Sequence, residues 1–69
     1  MSRYAVVIEK GESGFGAYVP DLPVCVALGK TEAKVRRLIH EAIAFHIGEL
    51  RAAGEPIPSP TSAVEFVEA

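Results

Sequence analysis

Residues 3–10 alternate, with Tyr4, Val6 and Ile8 on one side and Ala5, Val7 and Glu9 on the other. A period of two is the pleat of a strand. Gly11-Glu12-Ser13-Gly14 follows, with a glycine at each end to supply the backbone freedom of a hairpin connection. Phe15, Ala17 and Val19 then oppose Gly16 and Tyr18, which predicts a second strand. Pro20-Asp21-Leu22-Pro23 breaks the pattern. Two prolines withhold ladder donors, so this segment reads as a rigid surface loop in which Asp21 caps its own backbone amides. Val24 to Leu28 predicts a third, short strand, ended by Gly29.

The period then changes. Thr31 is a good helix N-cap, and Glu32 places a negative charge in the first turn. Lys34 stands where a capping box would have Glu. Val35, Leu38, Ile39, Ala42, Ile43, His46, Ile47 and Leu50 recur at helical spacing. Gly54 is placed to cap the C-terminus, and Pro56 forbids continuation. The expected helix is about 22 residues, or roughly 33 Å long. Pro56, Pro58 and Pro60 then make an extended connector of polyproline character that carries the chain back along the helix. Ala63 to Val67 alternates again, with Val64 and Phe66 on one face, and predicts a final strand at the sheet edge. The expected class is α+β in the order β-β-β-α-β, with one long helix on one face of a small antiparallel sheet. Residues 1–69 are read as a single domain.

The two sheet faces differ less than they should. Tyr4, Val6, Ile8, Phe15, Val19, Val24, Val26, Leu28 and Val64 or Phe66 are expected beneath the helix. The other face is expected to carry Ala5, Val7, Tyr18, Cys25, Ala27 and Val67, which is almost wholly apolar. A sheet face in water normally turns polar. A chain of 69 residues is also marginal as an isolated unit. Those six residues are therefore the candidate partner or oligomer surface, in a homo-oligomer such as a dimer or tetramer.

Composition narrows the chemistry. The formal net charge of −2 makes direct nucleic-acid binding an unpromising role. One cysteine, Cys25, rules out an intrachain disulfide and a cysteine-based zinc cage. No apolar run suits a signal-peptide core or a membrane span, so the expected location is cytoplasmic, with no membrane partner.

No catalytic constellation emerges. Asp21 is the single Asp beside eight Glu, which fall mostly on turns or wet flanks. Acid–base and two-metal chemistry need carboxylates that converge. His40 and His46 are six residues apart, about 120° off a common helix face, and so make no metal pair. His46 reads instead as a semi-buried packing histidine with one ring nitrogen hydrogen-bonded, and His40 as a flank residue. Cys25 stands in a strand, away from any helix N-terminus, and reads as a small packing residue. The glycine-rich run 11–16 joins two strands and opens no helix, which is the wrong setting for a phosphate loop. Lys34, Arg36, Arg37 and Arg51 are interleaved with Glu as a solvated face. No enzyme activity, cofactor or metal is expected.

Tyr4-Ala-Val-Val-Ile-Glu-Lys, Gly14-Phe-Gly-Ala-Tyr-Val-Pro-Asp-Leu-Pro, Cys25-Val-Ala, the Thr-started helix with Glu41-Ala-Ile and His46, and Gly54-Glu-Pro-Ile-Pro together resemble the HicB antitoxin family. The resemblance covers essentially the whole chain. It implies a partial ribonuclease-H-like fold and a domain that occludes HicA, a small basic RNA-cleaving toxin. The acidic balance agrees with a basic partner. The family usually has Gly after Pro-Asp-Leu-Pro, where this chain has Val24, which implies a slightly different loop geometry. Many full-length relatives continue into a DNA-binding segment, which is not expected within these 69 residues. Nuclease activity is not implied, because the acids such nucleases use have no counterpart here. The alternatives are a stand-alone oligomeric scaffold or small-ligand binder without a toxin, and a vestigial hydrolase.

Overall fold

The structure, a computed structural model, describes residues 3–69. Strands β1 (Val7–Lys10), β2 (Phe15–Tyr18) and β3 (Val26–Gly29) precede helix α1 (Glu32–Ala52). The sheet is antiparallel, in the order β1-β2-β3. Gly11 N–H donates to the Gly14 carbonyl at 2.7 Å to close the β1–β2 turn. Gly14 has no substitute here, because a Cβ on it would lie 2.6 Å from the Gly29 carbonyl oxygen, at the far end of β3.

The helix ends follow their local chemistry. Thr31 is extended, and its Oγ1 accepts from Lys34 N–H at 3.1 Å. At the other end, Glu55 N–H donates to Leu50 and Gly54 N–H to Arg51, with Gly54 at φ 69°. Those two bonds form a Schellman closure, and the left-handed residue inside it favours glycine. Two i,i+4 ion pairs, Glu32–Arg36 and Arg37–Glu41, run along the solvent side. With all four side chains more than half exposed, each pair contributes only a few tenths of a kcal/mol, about 0.3–0.5.

The core lies between the helix and one sheet face. Ala17, Val19, Leu22, Cys25, Val35 and Ile39 are buried, with Tyr4, Val6, Ile8, Phe15, Ala27, Ala42, Ile43 and Ile47 packed around them. Burying a Leu, Val or Ile side chain is worth about 1.5–3 kcal/mol. The α+β class, the antiparallel sheet and the single long helix therefore match the sequence reading.

Three details differ. First, β3 has the opposite phase. Cys25 and Ala27 turn toward the helix, while Val24, Val26 and Leu28 face outward. The cause is Val24, which sits at φ 61°. A left-handed residue between Pro23 and Cys25 turns the chain out of step before the strand begins. Second, Leu22 is fully buried rather than part of a surface loop. Leu22 N–H donates to the Val19 carbonyl, Cys25 N–H to Leu22, and Val19 N–H to Cys25, so residues 20–24 wrap a tight excursion around an inward-pointing Leu22. Third, residues 63–67 form no strand, and all five are exposed. A strand needs a hydrogen-bonded neighbour, and among the described residues no backbone bond reaches this segment.

Candidate functional site

Direct partners in an antiparallel ladder share a face. Val7 pairs with Tyr18, and Tyr18 with Val26; Glu9 pairs with Gly16, and Gly16 with Leu28. These six positions make up the sheet face turned away from the helix. Glu9 is its single charge. Tyr18 is 42% exposed, Val26 63% and Leu28 81%. Gly16 keeps the middle of the face low, because a Cβ there would meet the Leu28 side chain at 3.4 Å. Val24, also exposed, extends the apolar area beyond the strand end.

The candidate surface residues fall in different places. Val7 and Tyr18 lie on the open face. Ala5 is half-buried ahead of Val7. Cys25 and Ala27 do not belong to it: Cys25 is buried in the core and Ala27 packs against it. Burial also pushes the Cys25 thiol up from its ordinary pKa, which keeps it a protonated packing group. Val67 is exposed in the C-terminal segment, away from the sheet ladder. Val26 and Leu28 are the positions that sequence reasoning assigned to the core instead.

The second organised feature is the return of the chain. Tyr4 Oη donates to the Pro58 carbonyl, which holds the proline connector against the start of β1. The Asp21 carboxylate then accepts four hydrogen bonds. Ser62 N–H and Oγ donate at 2.9 Å each, and Thr61 N–H and Oγ1 at 3.1 Å each. Asp21 thus caps residues 61–62 rather than its own loop. The Ser62 amide above all, with the two hydroxyls and the Thr61 amide, holds its carboxyl below the usual range against a partial opposing loss of hydration.

The two histidines stand apart from both features. His40 is exposed, and half-buried His46 makes no side-chain hydrogen bond among the described residues. Among the described residues no three His, Cys, Asp or Glu side chains stand close enough to hold a metal ion together. A groove of about 600 Å³ runs beside the hairpin turn, lined by Phe15, Leu28, Lys30 and Lys34 among others, with lysines and glutamates mixed. No helix among the described residues is long and apolar enough to cross a membrane. The arrangement is suited to binding through shape and apolar area.

Comparison with known proteins agrees with that character. The family model described as "HicB_like antitoxin of bacterial toxin-antitoxin system" matches residues 4–69. A UPF0150 protein of Helicobacter pylori is 48% identical over 46 residues, which is 67% of this chain and 64% of that protein. An uncharacterized 14.9 kDa protein from the rep-hol intergenic region of Haemophilus phage HP1 is 31% identical over 64 residues, which is 93% of this chain and 48% of that protein. The chain thus spans less than two thirds of the length of these relatives. Among solved structures, a chain of a HicA3 and HicB3 toxin-antitoxin complex superposes with a TM-score of 0.72 at 38% identity, over 87% of this chain and 70% of that one.

Proposed function

The chain belongs to the HicB-like antitoxin family, and from that premise we propose that it neutralises a small, basic HicA-type RNA-cleaving toxin by covering it. The observation that carries this reading is the open sheet face, where Val7, Tyr18, Val26 and Leu28 form an apolar surface around one charge, Glu9. A neighbour of known structure is part of a HicA3 and HicB3 complex, which supports a toxin as the partner. Ala5 flanks the proposed contact, Val67 lies apart from it in the C-terminal segment, and residues 1–69 act as one domain. The role is non-enzymatic and cytoplasmic, involves no direct grip on nucleic acid, and is carried out by a homo-oligomer. The net charge of −2 steers a basic partner only weakly, so apolar contact supplies most of the affinity.

Coexpression with a small basic HicA-type toxin, followed by an RNA-cleavage assay, tests the proposal. The expected result is loss of cleavage with this chain present and its return with Leu28→Asp. Cleavage that continues unabated beside the unaltered chain overturns the antitoxin role. Inhibition that Leu28→Asp leaves intact moves the contact off the open face.

A further inference from the structure

Residues 63–67 have the composition of a strand and no strand to pair with. Val64 is 56% exposed and Phe66 94% exposed, on alternate positions of a segment that no backbone hydrogen bond reaches among the described residues. An alternating apolar segment whose amides have no partner within the protein is an available strand. The sheet, meanwhile, has two edges that lack one, at β1 and at β3. Because the order is β1-β2-β3, β1 is paired on one side only.

That edge is also where the core is thinnest. The helix packs chiefly over β3 and β2 and only lightly over β1. Along the β1 flank Tyr4, Val6, Ile8, Ile43 and Ile47 are left half-buried. A groove of about 560 Å³ opens just ahead of β1, beside Tyr4, between Ile43 and Ile47 of the helix and residues 57–60 of the proline connector. A strand added beside β1 with two large apolar side chains turned to the helix would cover this flank.

The same chain's segment does not do so. Tyr4 holds Pro58 at the start of β1, and Asp21 then fixes Thr61 and Ser62 at the loop after β2. The chain has crossed the end of β1 before residue 63 begins. It leaves from one strand further in than the edge it would have to join.

We infer that residues 63–67 are a donated strand, which pairs with the open β1 edge of a second copy of this chain and places Val64 and Phe66 against that copy's Ile43–Ile47 flank. Each copy carries one donor and one acceptor, so a reciprocal exchange satisfies both in a closed, two-fold pair. Charge agrees with the pairing. Lys10 closes β1 beside Glu9, with Arg3 four residues ahead of the strand, and the donated segment carries Glu65, with Glu68 just after it. The inference rests on the self-association proposed above and is independent of the toxin.

Sedimentation velocity at tens of micromolar, with the full chain, reads the oligomer. The expected mass is twice the 7.4 kDa of one chain. The double variant Val64→Asp, Phe66→Asp should lower the association constant about 100-fold or more. The helical part of its far-UV circular dichroism should be retained, because both side chains are exposed within one chain. A tagged Val7→Cys chain mixed with an untagged Glu65→Cys chain should form a disulfide between the two chains. A dimer that survives the double variant but dissociates with Leu28→Asp overturns the strand exchange and leaves self-association standing. A monomeric parent overturns both. An intrachain disulfide in the Val7→Cys, Glu65→Cys double variant also overturns the exchange, by placing the segment on its own edge.

Discussion

The two faces of the sheet are built from the same residue types in the same few strands, yet one is sealed and the other is open. On the helix side, Leu22, Val35 and Ile39 are completely shielded. On the opposite side, Val26 and Leu28 stand mostly in water. What separates them is enclosure from above, since α1 supplies Val35, Ile39, Ala42, Ile43 and Ile47 to one face alone. Hydrophobicity along a strand marks it as capable of burial, and topology decides which side is buried within the chain.

That contrast can be broken most severely from the core. Ile39→Ala should cost about 2–5 kcal/mol in urea denaturation, whereas Leu28→Ala, measured at a concentration that keeps the chain monomeric, should stay within about 0.5 kcal/mol of the parent. Equal losses at the two positions would mean that the open face is covered within the chain itself. A smaller effect bears on the residue that divides the β3 side chains between the faces. Holding Val24 left-handed costs about 1–2 kcal/mol, against about 0.5–1 kcal/mol for the greater freedom of an unfolded glycine. Val24→Gly should therefore raise stability by about 0.5–1 kcal/mol, seen as a higher denaturation midpoint, with Cys25 still protected from thiol reagents. A loss of stability would show that Val24 carries no strain.

The smallest effect lies at the end of the sheet, where the clamp restrains the segment leading to residue 63. Asp21 has a folded pKa below its ordinary 3.8. A depressed carboxyl stabilises the clamp fully above the unfolded value and ceases to do so as pH falls through the folded one. The Ser62 amide resonance should therefore titrate with a midpoint below 3.8 and stay constant across neutral pH. A midpoint above 3.8 would mean that the carboxyl is not bound to these donors.

Much of the fold is legible in the sequence because local chemistry decides it. Thr31 and Gly54 mark the helix ends through a side-chain acceptor and a left-handed turn. Glu9 and Lys10 give β1 a polar end, and Gly16 opposite Ala17 separates the faces of β2. Residues 24–28, Val-Cys-Val-Ala-Leu, hold no polar side chain, so their content marks a strand while its phase is not visible. One left-handed φ at Val24 then settles the phase, and with it exchanges Cys25 and Ala27 for Val26 and Leu28 on the candidate surface. Leu22 escapes because a loop between two prolines looks solvated while its one large apolar residue points inward. The missing last strand escapes because pairing is a property of two segments, and alternation describes only one.

The clamp on Asp21 also orders events in time. The β1–β2 hairpin and the helix form from neighbours in sequence, whereas the Asp21 bonds join residues 40 and 41 apart and the Tyr4–Pro58 bond joins residues 54 apart. Closing such long loops costs entropy that is recovered only once the ends are already close. On a ribosome the sheet and helix emerge first, and residues 58–62 settle onto a body that is already folded. Late contacts of this kind open in excursions smaller than global unfolding, so residues 58–62 come away and settle again while the sheet and helix stay folded.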